Sequence, residues 1–296
     1  MTISTLSFPE FDRVYQQAVR DVYAHWTPAM QTRIAANNRT WEPGAFNFFA
    51  YLQASSVRFY RAYRRLVEFA PASTVCDVGG FWGVLPMTLR SLGFAVTMTE
   101  SLHLYGDAFA PLFQAIAARG IAVVDYDPFQ PRATLSQRFH AVTAMAVIEH
   151  YPHSLKHFFE NLIALLEPQG VVYLEVPNIA YWPKRVDLLL GKTPLVDARE
   201  IYRSGAPFVG HHHEYTMDEL KGVAELSGLE VLREEFFNYS LLGAGWRRTL
   251  HRPLETLAFA MVPSTRECLS ITCRRTDCAP RQSAKGSPPP GGVDSA

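Results

Sequence analysis

From residue 74 onward, short apolar runs alternate with helical patterns, and this rhythm restricts the fold more than any other feature of the chain. The runs "TVCDVGG", "FAVTMTES", "IAVVDYDPF", "FHAVTAMAVIEH" and "VVYLEVPN" are separated by "VLPMTLRSLG", "DAFAPLFQAIAARG" and "SLKHFFENLIALLEPQG". Strands covered on both faces read as continuous apolar runs, so the alternation predicts an α/β, doubly wound, mostly parallel sheet with right-handed crossovers. The helix expected over 154–167 puts Leu155, Phe158, Phe159, Leu162, Leu165 and Leu166 on one face, and Pro168 with Gly170 closes it. Thr216 and Glu219 form a capping box that opens a later helix. "LEVLREEFFNYS" and "ECLSITCRR" read as two final strands.

Residues 1–70 read as an N-terminal helical cap. Over 46–69 the positions Phe49, Leu52, Phe59, Tyr63 and Leu66 make an apolar stripe, while Arg58, Arg61 and Arg65 fall away from it. The main domain is expected over 71–275. Within it, 179–210 breaks the rhythm with Pro183, Pro194 and Pro207 and is read as a lid. Residues 241–263 pair Trp246, Leu250 and Phe259 with Arg247, Arg248 and Arg252, as an interfacial helix does, although a packed helix is the commoner outcome. Residues 276–296, rich in Pro, Gly and Ser, are expected to be disordered.

The 28 basic residues equal the 28 acidic ones, so net charge does not drive the chain onto a polyanion, and no nucleic-acid partner is expected. Cys76, Cys268, Cys273 and Cys278 lack metal spacing and read as reduced thiols. No basic-then-apolar leader and no apolar run of about 18 to 20 residues is present, and a cytoplasmic location is expected.

In an open parallel sheet, ligands bind beyond the carboxyl ends of the strands. Four such ends carry chemistry here: Asp77 with its glycines, then Glu100, Asp127, and Met145 to His150. Gly79 and Gly83 permit close backbone approach. Glu100 offers two oxygens to a ribose diol, and Asp127, followed by Pro128 and Phe129, can take an exocyclic amine, with Asp125 as its competitor. Asp77, two residues before Gly79, would repel a pyrophosphate and suits an ammonium or sulfonium group. These placements imply a positively charged adenosyl cofactor.

The stretch "VCDVGGFWG" resembles the first motif of class I S-adenosylmethionine-dependent methyltransferases, Asp or Glu followed by Gly at every second position. "FHAVTAMAVIEHY" is similar to the fourth-strand motif of the quinone-biosynthesis-like branch, and "LLEPQGVVYLEVPN" to the fifth strand. Over about 71–275 the resemblance implies a Rossmann-like sheet of seven strands with an antiparallel last strand. It further implies S-adenosylmethionine as cofactor, held by Asp77, Gly79, Gly80, Phe81, Gly83, Glu100, Asp127, Pro128 and Met145, and methyl transfer to O or N of a small molecule. Two positions depart from the pattern: Phe81 replaces the middle glycine, and His140 replaces an aspartate at the start of strand four.

His150, His211 and His213 are the candidate catalytic groups, able to take a proton near neutral pH, against the alternative of structural hydrogen bonding. Small-RNA 2′-O-methyltransferases resemble this region and bind a divalent ion through Glu-x-x-Glu-His and a later histidine. Ala146 stands at the first glutamate position, so no metal is expected here. Trp82, Tyr51 and Tyr60 are candidates to shield the cofactor. Tyr181, Trp182, Lys184, Arg185, Tyr202 and Arg203 in the lid suit a sugar, nucleotide-sugar or other anionic acceptor. A non-catalytic cofactor-binding relative and a nicotinamide-dependent oxidoreductase remain as alternatives, the second lacking G-x-G-x-x-G.

Overall fold

The computed structural model describes residues 5–42, 44–70, 73–240 and 252–276. Trp246, Arg247, Arg248 and Leu250, and the expected disordered tail from residue 277 on with Cys278, lie outside the described residues. Seven strands form one sheet: β1 Thr74–Val78, β2 Ala95–Glu100, β3 Ala122–Asp125, β4 Phe139–Met145, β5 Leu166–Pro177, β6 Leu229–Phe237 and β7 Cys268–Arg275. Their spatial order is β3-β2-β1-β4-β5-β7-β6, with β7 antiparallel to both neighbours. This is the doubly wound sheet that the alternation of runs implied, with the Rossmann-like order and antiparallel last strand that the methyltransferase resemblance implied.

Successive side chains of a strand point to opposite faces, and here they feed two cores. Val75, Ala141, Val171 and Tyr173 face one side, while Cys76, Val142, Val172 and Leu174 face the other. The second core is closed by α7 (Lys156–Ala164) and α10 (Met217–Leu226), through Phe158, Phe159, Leu162 and Leu220. The first is closed by α5 (Val84–Ser91), by α6 (Ala110–Ala118) and by the N-terminal helices α1 (Phe8–Tyr23), α2 (Pro28–Asn37), α3 (Phe48–Ala54) and α4 (Ser56–Phe69). Phe11, Tyr15, Val19, Tyr63 and Leu66 are fully buried there, each worth about 1.5–3 kcal/mol relative to exposure. The N-terminal helices thus share the sheet's own core.

Three expectations are corrected. The stretch 46–69, whose stripe reads as one amphipathic helix, is two helices, because the chain breaks at Ser55, whose hydroxyl donates to the Tyr51 carbonyl at 2.8 Å. Arg58 and Arg65 are buried rather than solvated, since carboxylates meet them: Glu175 for Arg58, Glu68 and Glu235 for Arg65. The helix expected to run to 167 ends at Ala164, and β5 begins at Leu166, with the pairing to β4 shifting register between Phe139 and Ala141. Gln169, at φ 67°, lies within that irregular segment.

The segment 179–210 carries α8 (Trp182–Leu189) and α9 (Ala198–Arg203) and is fastened to the cap. Gly205 N–H donates to the Ala36 carbonyl and Val209 N–H to Asn37, both at 2.9 Å. Asn37 and Asn38 return side-chain bonds to the carbonyls of Pro207 and Val209 at 2.7 and 2.9 Å. The last described helix, α11 (Pro253–Met261), meets α8 through the stacked rings of Tyr181 and Phe259, centroids 5.8 Å apart. Among the described residues no helix is long and apolar enough to cross a membrane.

Candidate active site

The carboxyl ends of β1, β2 and β4 and the turn after β3 open onto one cavity of about 590 Å³, roofed by the N-terminal helices and the lid. That volume falls in the range of small-molecule and cofactor sites. Asp77, Gly79, Gly80, Phe81, Glu100, Pro128, Met145, His150 and His211 all line it.

The turn after β1 is shaped by backbone conformation. Gly79 has φ 68°, and a Cβ there would lie 2.7 Å from Val147 Cγ2. Phe81, at the position of the motif's middle glycine, also adopts a left-handed φ of 54°, a region that costs a non-glycine residue about 1–2 kcal/mol. That geometry is why the family motif favours glycine. The ring of Phe81 stacks on Trp82 at 4.2 Å, and its N–H donates to Glu100.

Two buried carboxyl groups face this turn. Asp77, 3 % exposed, accepts a 2.5 Å bond from the Thr143 hydroxyl on β4. Burial pushes its pKa up to about 7, against the lowering effect of Thr143. Glu100, at the end of β2, is raised by burial to about 8, against bonds from Phe81 N–H and the Tyr105 hydroxyl. Neither has an ion-pair partner among the described residues. A cationic guest would relieve the cost of ionising both.

Several expected site residues stand elsewhere. Gly83 is off the cavity wall: it opens α5 at φ 78°, and a Cβ would reach within 2.4 Å of Ile116 Cδ1 on α6, which leaves no room for a side chain. Asp127 is also off the wall, because its oxygens accept from Phe129 N–H at 2.9 Å and Gln130 Nε2 at 3.0 Å, closing its own turn. Its neighbours Tyr126, Pro128 and Phe129 line the cavity instead. Asp125 accepts from Leu102 N–H at 3.0 Å. His213 points away, its Nε2 3.7 Å from exposed Glu219. Tyr60 belongs to the cap core, bonding the Leu6 carbonyl, and Tyr51 reaches the cavity but its hydroxyl oxygen accepts from Arg58 Nη1. His140 pairs with Thr74 at the opposite end of the sheet.

The lid's charges are also spent. Lys184 pairs with Glu214, Arg185 bonds the Ala180 and Ser264 carbonyls, Arg203 pairs with Glu200, and Tyr202 is 90 % exposed. Of the expected anion-binding mixture only Tyr181 and Lys184 reach the cavity wall, and Lys184 is already paired with Glu214.

Sequence reasoning assigned no site role to two buried carboxyl groups on the far wall of the cavity, Glu149 and Glu175. Glu149, on the helical turn after β4, is 0 % exposed, and neither oxygen has a hydrogen-bond partner. Burial raises its pKa to about 7, opposed by His211. His150 is driven down to about 3 by burial and by His211, so its ring is neutral. His211 Nδ1 bonds Glu214 at 2.8 Å. Glu149, His150 and His211 each bring one donor atom within 4.8 Å of the others, a spacing that a metal ion could also use. Glu175 of β5, likewise fully buried, is held by Arg58 from α4 at 3.0 and 2.5 Å. The signal for Glu175 was an acid inside the apolar run "VVYLEVPN".

A family model described as a methyltransferase domain matches residues 52–234. No curated protein matches the sequence. Among solved structures, the magnesium protoporphyrin IX methyltransferase of Synechocystis PCC 6803, with bound SAH, is similar with a TM-score of 0.52 at 15% identity, covering 83% of this chain and 98% of that one. An S-adenosylmethionine-dependent methyltransferase of Mesorhizobium loti gives 0.49 at 14% identity, covering 75% and 98%. At such identities the likeness is one of fold.

Proposed function

The chain belongs to the methyltransferase domain family and is an S-adenosylmethionine-dependent methyltransferase; from that premise we propose that it methylates a small molecule enclosed between sheet, cap and lid. The observation that carries this reading is the pair of buried carboxyl groups, Asp77 and Glu100, on the wall of a 590 Å³ cavity with no cation among the described residues to answer them. Asp77 would receive the ammonium end of the cofactor and Glu100 its ribose diol. Pro128, Phe129 and Met145 would flank the adenine. Bound there, S-adenosylmethionine supplies an electrophilic methyl group on a sulfonium.

The chain's own contribution is positioning and exclusion of water. The bonds between Asn37, Asn38 and the 205–209 backbone hold the lid against the cap over the cavity. The family match names no branch, and a cavity of about 590 Å³ lined by sheet, cap and lid supports a small acceptor. Incubation with methyl-labelled S-adenosylmethionine and a size-fractionated metabolite extract tests this. Label should enter a compound below about 1 kDa with stoichiometric release of S-adenosylhomocysteine; cofactor binding with label passing only into protein or RNA fractions would overturn the reading.

A further inference from the structure

Resting on that reading, we propose that the methyl acceptor is the nitrogen of a primary amine, held through its two N–H groups between the Glu149 carboxylate and His150 Nδ1. Most charges on the cavity wall are already answered. Arg58 spends Nε and Nη2 on Glu175 and Nη1 on the Tyr51 hydroxyl. Lys184 and His211 both serve Glu214, and Glu267 accepts the N–H groups of Tyr239 and Ser240. Glu149 alone among these acids is left with both oxygens unpartnered in a fully buried position. Such a group is costly unless a guest donates to it.

Beside it, the His150 ring donates to the backbone of Gly210, which leaves Nδ1 as a lone-pair acceptor, and Nδ1 has no partner. Glu149 and His150 Nδ1 are thus neighbouring unpartnered groups on the cavity wall, while the donors of nearby Lys184 and Arg58 are already engaged. A donor atom of Glu149 and one of His150 lie within 4.8 Å of each other. One nitrogen donating to both at about 2.9 Å, with a tetrahedral angle between the bonds, spans about 4.7 Å. A hydroxyl has one O–H and would leave one acceptor stranded. A carboxylate or phosphate would meet an uncompensated negative charge. A neutral amine satisfies both acceptors and keeps its lone pair for the methyl group.

The step balances. An acceptor arriving as R–NH3⁺ loses to water the one proton not held by Glu149 or His150; the lone pair so freed forms the N–CH3 bond as the S–CH3 bond breaks, its electron pair returning to sulfur. The product leaves as R–NH2–CH3⁺ beside neutral S-adenosylhomocysteine, with Glu149 still a carboxylate.

Calorimetric titration of the S-adenosylhomocysteine complex with benzylamine, benzyl alcohol and benzoate tests the proposal in the wild type, where no variant has to fold. Benzylamine should bind at least tenfold more tightly than benzyl alcohol, and benzoate should not bind. Glu149→Gln should lose at least tenfold in benzylamine affinity while keeping S-adenosylhomocysteine affinity within twofold. Equal affinity for amine and alcohol, or no amine binding to a complex that does hold S-adenosylhomocysteine, overturns the inference. So does stoichiometric uptake of Mn²⁺ or Zn²⁺ that Glu149→Gln abolishes, which would assign these side chains to a metal. Failure to bind S-adenosylhomocysteine at all is a different result and sinks the underlying reading instead.

Discussion

At the residue scale, Phe81 shows how a motif can lose a glycine and keep its turn. The residue sits at φ 54°, and its cost is offset by stacking on Trp82 and by the N–H bond to Glu100. This inverts the usual order of small substitutions. Phe81→Gly should be more stable than Phe81→Ala by about 1 kcal/mol, since only glycine enters the left-handed region freely. Chemical denaturation of the two variants measures this, and an alanine variant at least as stable as the glycine one would contradict it. Asp77 was legible in the sequence because an acid at the end of an apolar strand is costly without a purpose. The facing of Gly83 and Asp127 was not legible, because a motif gives a residue's place in the chain and not its direction: Ile116 lies beside one, and the other accepts within its own turn.

At the scale of elements, the contact between α4 and β5 joins cap to sheet through a charge pair. Arg58 and Glu175 are both buried, and removing one partner leaves an uncompensated charge. Arg58→Met should cost about 3–5 kcal/mol, and adding Glu175→Gln should recover most of that loss, because the carboxylate is what suffers. A double variant no more stable than the single one, in the same denaturation assay, would show the pair to be incidental. The period of Phe49, Leu52, Phe59, Tyr63 and Leu66 gave the apolar face of this region correctly, yet periodicity cannot see that β5 offers a carboxylate to meet Arg58. The strand ladder was readable for the opposite reason: apolar runs buried on both faces carry the pattern of a parallel sheet without reference to distant partners.

For the whole molecule, three buried acids set a pH dependence. Asp77, Glu100 and Glu149 titrate at about 7, 8 and 7 in the fold, against ordinary values of 3.8, 4.5 and 4.5, with burial as the leading cause in each. Raised folded values mean that the fold holds protons that the unfolded chain has released. Their contribution to stability is therefore full below about pH 4 and is lost as pH rises toward 8. A cationic guest reverses this by favouring the ionised forms. The increase in Tm given by S-adenosylmethionine should grow between pH 6 and pH 8.5; an increment that is flat or shrinks over that interval would contradict the assignment. The doubly wound architecture was legible throughout this scale, whereas the clasp between Asn37, Asn38 and residues 205–209 was not, since it joins segments about 170 positions apart that share no pattern.

The central claim is that a buried carboxyl pair at the end of the first two strands selects a positively charged adenosyl cofactor. Calorimetric binding of S-adenosylhomocysteine, whose amino acid end carries an ammonium group, to the wild type and to Asp77→Asn tests it most directly. Asparagine keeps the shape and the oxygen that accepts from Thr143, and removes the charge. The account predicts binding by the wild type and at least a tenfold loss in the variant, equivalent to about 1.4 kcal/mol; no binding by the wild type, or equal affinity in the two proteins, would contradict it.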